Sequence, residues 1–136
     1  MIYLDSAALV KLVREEGESR ALVDWLNGRT GQRLVASALV EVEVPRALRR
    51  SQPGVLGAVA ATLARIDRIE IDAAVRATAA AYVDPLLRSL DAIHLATADQ
   101  LVASGKAIFA FVTYDTRLAA AARTAGLSVV APGGTE

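Results

Sequence analysis

The sequence predicts an α/β protein with a central, mainly parallel sheet of four or five strands and helices on both faces. Short apolar runs, which are typical of buried strands, alternate along the chain with segments whose apolar residues follow helical spacing. Parallel strands that alternate with helices are joined by right-handed crossovers. The carboxyl ends of the strands should therefore share one edge of the sheet, where open α/β sheets bind their ligands.

The strands are predicted from these apolar runs. They lie at residues 1–4, 34–36, 69–71, 107–113 and 127–131. The run at 107–113 is the most strand-like, because it is rich in β-branched and aromatic residues.

The helices are predicted from apolar spacing and from capping residues. Six polar residues stand where a helix cap is expected: Ser6, Ser19, Ser37, Asp72, Ser89 and Thr116. The segment 55–65 also has helical spacing. The helix over 73–83 should end before Pro85, because the residue preceding a proline disfavours helix. Pro45 falls inside the helix that follows Ser37 and predicts a kink or a break there.

The composition favours one cytoplasmic domain. A chain of 136 residues with 54% hydrophobic residues can bury a continuous core. The absence of cysteine excludes disulfides, thiolate zinc sites and a thiol nucleophile, and it suits a reducing compartment. The start of the chain lacks a basic leader and no apolar run is long enough to span a membrane, so we expect a soluble, cytoplasmic protein.

The charge balance argues against a globally basic nucleic-acid-binding domain. Fifteen basic residues offset fifteen acidic ones, so nucleic acid would have to bind to a local patch. Thirteen of the bases are arginine, which binds phosphate through two parallel hydrogen bonds. Arg46, Arg49 and Arg50 lie together and are candidates for such a patch, although runs of this kind are often only a solvated helix face.

Four acidic residues are predicted to meet at the carboxyl edge of the sheet. Asp5 and Asp115 directly follow the first and the fourth strand. Asp91 lies in the first turn of a helix, and Glu43 lies one to two turns into the helix after the second strand. A lone acid after a strand is commonly a helix cap, whereas crowded carboxylates either have raised pKa values or bind a cation. Oxygen ligands without cysteine suit Mg²⁺ or Mn²⁺.

Such a site predicts phosphodiester hydrolysis by a metal-activated water. Glu43 is the candidate to orient or deprotonate that water, because its longer side chain begins deeper in a helix. Glu41 must point to a different side of the helix, and the choice between the two glutamates stays open. His94, three residues after Asp91, is expected to pack in the core or to support the site, because one imidazole alone makes a poor metal site.

Four segments in order carry a resemblance to a known family: YLDSAALVKL, ASALVEVEVPRALRR, RSLDAIHLATA and FVTYDTRLAAAARTAGLSVVAPG. Together they span nearly the whole chain and resemble the PIN-domain ribonucleases, specifically the VapC-type toxins of bacterial toxin–antitoxin pairs. The resemblance implies a three-layer PIN-like fold and a single PIN domain over residues 1–136.

The resemblance also implies roles for individual residues. The catalytic acids would be Asp5, Glu43, Asp91 and Asp115. The three aspartates would hold the metal, with Asp5 and Asp91 as the main ligands. Ser6 and Thr113 would support the site through hydrogen bonds. The chain departs from the family pattern at Ala7, where a second small hydroxyl residue is frequent, and at Pro45, close after Glu43.

The implied function is that of an endoribonuclease toxin dependent on Mg²⁺ or Mn²⁺. It would cleave single-stranded or structured regions of tRNA or rRNA and inhibit translation. A small VapB-like antitoxin would neutralise it, and the toxin would form a homodimer. Two alternatives stay open: a PIN nuclease of RNA processing with the same site residues, and a receiver-like Mg²⁺-binding regulatory module. The latter needs a lysine after a late strand, whereas Lys106 precedes one.

Overall fold

The computed structural model describes residues 1–134 and contains one sheet of five parallel strands. The strands are β1 (Ile2–Leu4), β2 (Leu34–Ser37), β3 (Asp67–Ile69), β4 (Ala110–Val112) and β5 (Val129–Val130). Their order in the sheet is β3-β2-β1-β4-β5, and every neighbouring pair is parallel. The predicted α/β class and the strand number are confirmed.

Helices cover both faces of this sheet. They are α1 (Ser6–Val13), α2 (Ser19–Asn27), α3 (Val40–Ser51), α4 (Val59–Leu63), α5 (Ala73–Ala81), α6 (Ser89–Ala103) and α7 (Thr116–Thr124). A 3₁₀ helix (Pro53–Ala58) leads into α4. Since the side chains of a strand point alternately to its two faces, β1 supplies both halves of the core. Ile2 and Leu4 pack with α1 to α4, and Tyr3 packs with α6 and α7.

Aspartates, rather than the hydroxyl residues that follow them, cap two of the helices. The carboxylate of Asp5 accepts a hydrogen bond from the Ala8 amide at 2.9 Å, and α1 begins at Ser6. Asp115 caps α7 in the same way, and this helix begins at Thr116. The predicted caps Ser6 and Thr116 are therefore wrong by one residue, because the carboxylate before them already reaches the first free amides. The prediction of a cap at Asp72 is confirmed.

Three further serines do not cap the helices that follow them. Ser19 and Ser89 are the first residues of α2 and α6, and no side chain caps either helix. Ser37 ends β2, and its hydroxyl accepts a hydrogen bond from the Leu39 amide at 3.1 Å. That serine shapes the turn from β2 into α3 and leaves the first turn of α3 uncapped.

Several predicted boundaries shift. α3 runs without a break through Pro45, whose ring costs the helix one backbone hydrogen bond. The segment predicted as one helix over 55–65 is instead a 3₁₀ helix followed by the short α4, consistent with two glycines, Gly54 and Gly57, that disfavour α-helix. The helix predicted over 73–83 ends at Ala81.

Three strand predictions also need correction. β3 lies two residues earlier than predicted, because it pairs with β2 from Asp67 onward. β4 and β5 are shorter than the apolar runs that contain them. The length of β4 is limited by its neighbour β1, which offers only three residues for pairing. The short β4 in turn limits β5, which pairs with it. Within residues 1–134, no helix is long and apolar enough to cross a membrane.

The strand order determines where a site can form. From β1 the chain builds outward through β2 and β3, then returns to add β4 and β5 on the other side of β1. The connections thus leave in opposite directions at β1 and β4, which opens a crevice beyond their carboxyl ends.

Candidate active site

Two neighbouring strands deliver acids into this crevice. β1 and β4 are in register, with Leu4 beside Val112, so Asp5 follows one strand next to Thr113 on the other. The Thr113 hydroxyl donates a hydrogen bond to Asp5 Oδ2 at 2.6 Å and accepts one from the Asp115 amide at 3.1 Å. Together with its capping bond to α1, this contact holds both oxygens of the Asp5 carboxylate in place.

The crevice is a cleft of about 600 Å³ beside these strand ends. It is lined by the predicted site residues Asp5, Ser6, Glu43, Asp91 and Asp115, and by Ala7, Val10, Leu39, Val42, Arg46, Ala47, Arg50, Arg88, Leu90 and His94. The structure therefore brings all four predicted acids to one cleft. Thr113 does not line this cleft, but its hydroxyl contacts the Asp5 carboxylate.

Asp91 and Asp115 face each other across an arginine. Arg88 lies 3.5 Å from a carboxylate oxygen of each aspartate and is itself largely exposed. Burial raises the pKa of Asp91, the negative charge of Asp115 raises it further, and Arg88 opposes both effects. The two aspartates thus repel each other, and a cation between them relieves the repulsion.

Asp5 is the most buried acid of the cleft, with 4% of its surface exposed. Burial raises the pKa of the Asp5 carboxyl, and the charge of Asp91 adds to the increase. The hydrogen bonds from Thr113 and from the Ala8 amide favour the charged form but do not outweigh burial. A buried carboxylate with this balance is stabilised by a bound cation.

Glu43 has a different environment. Burial raises the pKa of its carboxyl, but hydrogen bonds from His94 and Ser6 outweigh burial and leave the pKa below its usual value. His94 Nε2 lies 2.8 Å from Glu43 Oε1, and the Ser6 hydroxyl donates to the same oxygen. Glu41 points elsewhere and forms an ion pair with Arg68 at 3.3 Å. Of the two glutamates left open by the sequence, Glu43 is the one that lines the cleft.

Two residues of the cleft have a larger part than the sequence suggested. His94 is buried, as expected for core packing, but both of its ring nitrogens lie within hydrogen-bonding distance of other side chains. Its position one helical turn after Asp91 was the available signal. Arg88 was not predicted at all, and its place one turn before Asp91 is the corresponding signal.

The donor set fits a hard divalent cation. Within residues 1–134, no three acidic or histidine side chains are grouped closely enough to form a complete metal cage. Mg²⁺ does not require one, because it keeps several waters and uses only one or two carboxylates. Asp5, Asp91 and Asp115 offer oxygen donors, and two of the three carboxyls have raised pKa values in the absence of a cation. The chemistry of these residues therefore suits Mg²⁺ or Mn²⁺.

Comparison with known proteins decides the family. The PIN domain family matches residues 2–124. The chain belongs to the PIN-domain family. Within it, the chain belongs with the VapC ribonucleases: Ribonuclease VapC35 of Mycobacterium tuberculosis is 59% identical over 133 residues, which cover 98% of each chain. PIN ribonucleases generally depend on divalent metal ions. The family match excludes the receiver-like alternative.

Solved structures share the fold at low sequence identity. A toxin–antitoxin complex from Klebsiella pneumoniae has a chain that is 19% identical, with a TM-score of 0.73 over 99% of this chain and 100% of that one. VapC20 of Mycobacterium tuberculosis, described as a toxin that cleaves the sarcin–ricin loop, is 18% identical, with a TM-score of 0.73 over 97% of this chain and 100% of its own. Both likenesses support the three-layer PIN fold.

Proposed function

We propose that this protein is a metal-dependent endoribonuclease whose catalytic centre is the acidic cleft. The observation that carries the proposal is the meeting of Asp5, Glu43, Asp91 and Asp115 around one cleft at the switch point of the sheet. The three aspartates would hold Mg²⁺ or Mn²⁺. A bound ion of this kind lowers the pKa of a water and neutralises charge on a phosphodiester.

The residues around the three aspartates have separate roles in this proposal. Thr113 and the start of α1 hold the Asp5 carboxylate still, which fixes one metal ligand. Glu43 is the acid with a lowered pKa, so it is ionised at neutral pH and accepts the proton of the attacking water. Arg88 neutralises Asp91 and Asp115 in the free protein. With a cation held by these aspartates, the exposed guanidinium of Arg88 would be available to bind a phosphate oxygen.

The substrate we propose is a single-stranded or looped region of a structured RNA of the tRNA or rRNA class. A single strand can bring its phosphate to carboxylates that lie among helices, whereas a rigid duplex cannot enter so easily. VapC20, with the same fold, is described as cleaving a loop of this kind. Arg46 and Arg50 line the cleft one turn apart on α3, and within residues 1–134 neither is in an ion pair. They are placed to bind the RNA backbone.

The relatives also support proposals about partners and location. We propose that the protein is a single-domain cytoplasmic toxin that inhibits translation, forms a homodimer and is neutralised by a VapB-like antitoxin. The support is the similarity to VapC35 and the shared fold with a chain of the Klebsiella toxin–antitoxin complex. An antitoxin arginine placed among the acids of the cleft would inhibit by replacing the cation.

Cleavage of defined RNAs tests the activity. Purified protein with Mg²⁺ or Mn²⁺ should cut a labelled RNA hairpin within its loop and leave the fully duplex form intact. Attack by a metal-activated water should leave a 5′-phosphate and a 3′-hydroxyl, and it should tolerate a 2′-deoxy substitution at the cut site. Products ending in a 2′,3′-cyclic phosphate would show that the RNA 2′-hydroxyl is the nucleophile and would contradict the mechanism.

The arginines of α3 should affect substrate binding more than the chemical step. Replacing Arg46 and Arg50 by alanine should raise KM about tenfold at low salt and reduce the salt dependence of kcat/KM, because backbone contacts release counterions. The change in kcat should stay within about threefold. Arg20→Ala, on α2 outside the cleft, is the matched control and should leave both constants unchanged. An equal loss in Arg46→Ala, Arg50→Ala and Arg20→Ala would point to a general charge effect.

A further inference from the structure

A line of hydrogen bonds connects the buried sheet to the acid proposed as the catalytic base. The Ser37 amide donates to the Tyr3 hydroxyl oxygen at 3.1 Å, and that oxygen lies 2.7 Å from His94 Nδ1. On the other side of the ring, His94 Nε2 lies 2.8 Å from Glu43 Oε1. Tyr3 is fully buried and His94 is 2% exposed, so solvent does not compete for these contacts.

The backbone donor at one end and the carboxylate at the other indicate a direction for this line. A backbone amide can only donate, so Ser37 occupies a lone pair of the Tyr3 oxygen. A phenol hydroxyl keeps its proton at neutral pH, and His94 Nδ1, 2.7 Å away, is the acceptor within its reach. An imidazole that accepts from Tyr3 on Nδ1 has Nε2 as its donor nitrogen, and Nε2 is the nitrogen that lies against Glu43. In this arrangement Tyr3 favours one tautomer of His94.

Two donors converge on one oxygen of Glu43. His94 Nε2 and the Ser6 hydroxyl both lie against Oε1, whereas within residues 1–134 no side chain or amide hydrogen-bonds to Oε2. With one oxygen anchored twice, rotation of the carboxylate is restricted. The second oxygen stays available to the cleft that Glu43 lines.

We propose that His94 is a positioning residue that orients the Glu43 carboxylate for the attacking water, and that Tyr3 sets the tautomer His94 needs for this. The proposal rests on the proposed role of Glu43 as the base. Any buried imidazole needs partners for its ring nitrogens, and here one of the two partners is the carboxylate proposed as the base.

The kinetic test compares two replacements of His94. Glutamine places an N–H near the position of Nε2, so His94→Gln should keep kcat within about fivefold of wild type. His94→Leu has a similar volume but no donor and should lower kcat about tenfold to a hundredfold with little change in KM, the usual cost of removing a group that orients an active-site ligand. Tyr3→Phe should lower kcat by several-fold. Equal losses for glutamine and leucine would overturn the positioning role.

Combining the change with Glu43→Gln separates this proposal from the one it rests on. Glu43→Gln alone should lower kcat by about a hundredfold or more if Glu43 is the base. Adding His94→Leu to that variant should cost little further, because the two residues act as a unit. A full second loss would overturn the positioning role and leave the base intact. Unchanged activity of Glu43→Gln would instead refute the role of Glu43.

The ¹⁵N NMR signals of the wild-type imidazole report the tautomer of His94 directly, and this result does not depend on the folding of any variant. His94 is the sole histidine of the sequence, so the imidazole signals of the ¹⁵N-labelled full-length protein need no assignment. The wild type should show a protonated Nε2 and an unprotonated Nδ1, and Tyr3→Phe should shift this balance toward the other tautomer. A wild-type ring protonated on Nδ1 would overturn the proposal.

Discussion

Replacing Asp5 by asparagine should lower RNA cleavage by about a thousandfold, with the fold intact. Asparagine keeps an oxygen that can accept from the Ala8 amide, so α1 stays capped. The variant loses the negative charge that we propose binds the metal ion. That ion contributes several kcal/mol to stabilisation of the transition state, and each 1.4 kcal/mol is about tenfold in rate. Initial rates on the RNA hairpin measure the loss, and circular dichroism reports the fold.

Asp72 provides a matched control for this experiment. It caps α5 through a 2.9 Å bond from the Val75 amide, the same geometry with which Asp5 caps α1, but it is exposed and does not line the cleft. Asp72→Asn should leave cleavage unchanged. If both variants lost activity equally, a general effect of replacing a capping aspartate would explain the loss, and the charge of Asp5 in the cleft would not.

Replacing Asp91 by asparagine should abolish cleavage. The variant should also be more stable than the wild type without divalent ions and lose this advantage when metal is added. Burial and the charge of Asp115 raise the pKa of Asp91, so its ionised form destabilises the folded protein. Without divalent ions, Asp91→Asn should raise the free energy of unfolding at pH 7. With Mn²⁺, the wild type should gain stability through binding and the variant should not.

The pH dependence of that difference has a definite sign. A carboxyl with a raised pKa in the folded state gives the wild type its full stability below the unfolded pKa and loses part of it as the pH rises through the folded pKa. The advantage of Asp91→Asn should therefore vanish below about pH 4, where the carboxyl is protonated in both states, and should grow as the pH rises through the raised pKa of the folded state. Thermal unfolding with EDTA and with Mn²⁺ measures both effects, and Asp72→Asn again serves as control. An equal gain from Mn²⁺ in variant and wild type would show that Asp91 does not bind the ion.

The sequence was sufficient to predict how the acids come together. Asp5 and Asp115 follow strands, and parallel strands end at one edge, so their proximity follows from the alternation of strands and helices. Glu43 lies near the start of α3, the helix after β2, and Asp91 lies in the first turn of α6, which leads back to the start of β4 and therefore begins on the same side of the sheet. The functional roles of these residues stay predictions.

The support behind the acids could not be predicted in the same way. Tyr3 and His94 are 91 residues apart in the chain, and His94 and Glu43 are 51 apart. Each contact depends on the rotation of a helix and on a side-chain rotamer, and neither leaves a local pattern in the sequence. The same limit applies to Arg88, whose partner Asp115 lies 27 residues away. The caps predicted at Ser6 and Thr116 failed for a more local reason, since the aspartate before each of them occupies the capping position.

Metal removal and addition test the central claim most directly. Wild-type protein dialysed against EDTA should not cleave the RNA hairpin. Mg²⁺ or Mn²⁺ at millimolar concentration should restore cleavage within the loop, whereas buffer without divalent ions should not. Asp5→Asn and Asp91→Asn should stay inactive after the same addition, and Asp72→Asn should recover with the wild type. Undiminished cleavage in EDTA, or recovery of the two cleft variants with metal, would contradict a metal-dependent centre built from these acids.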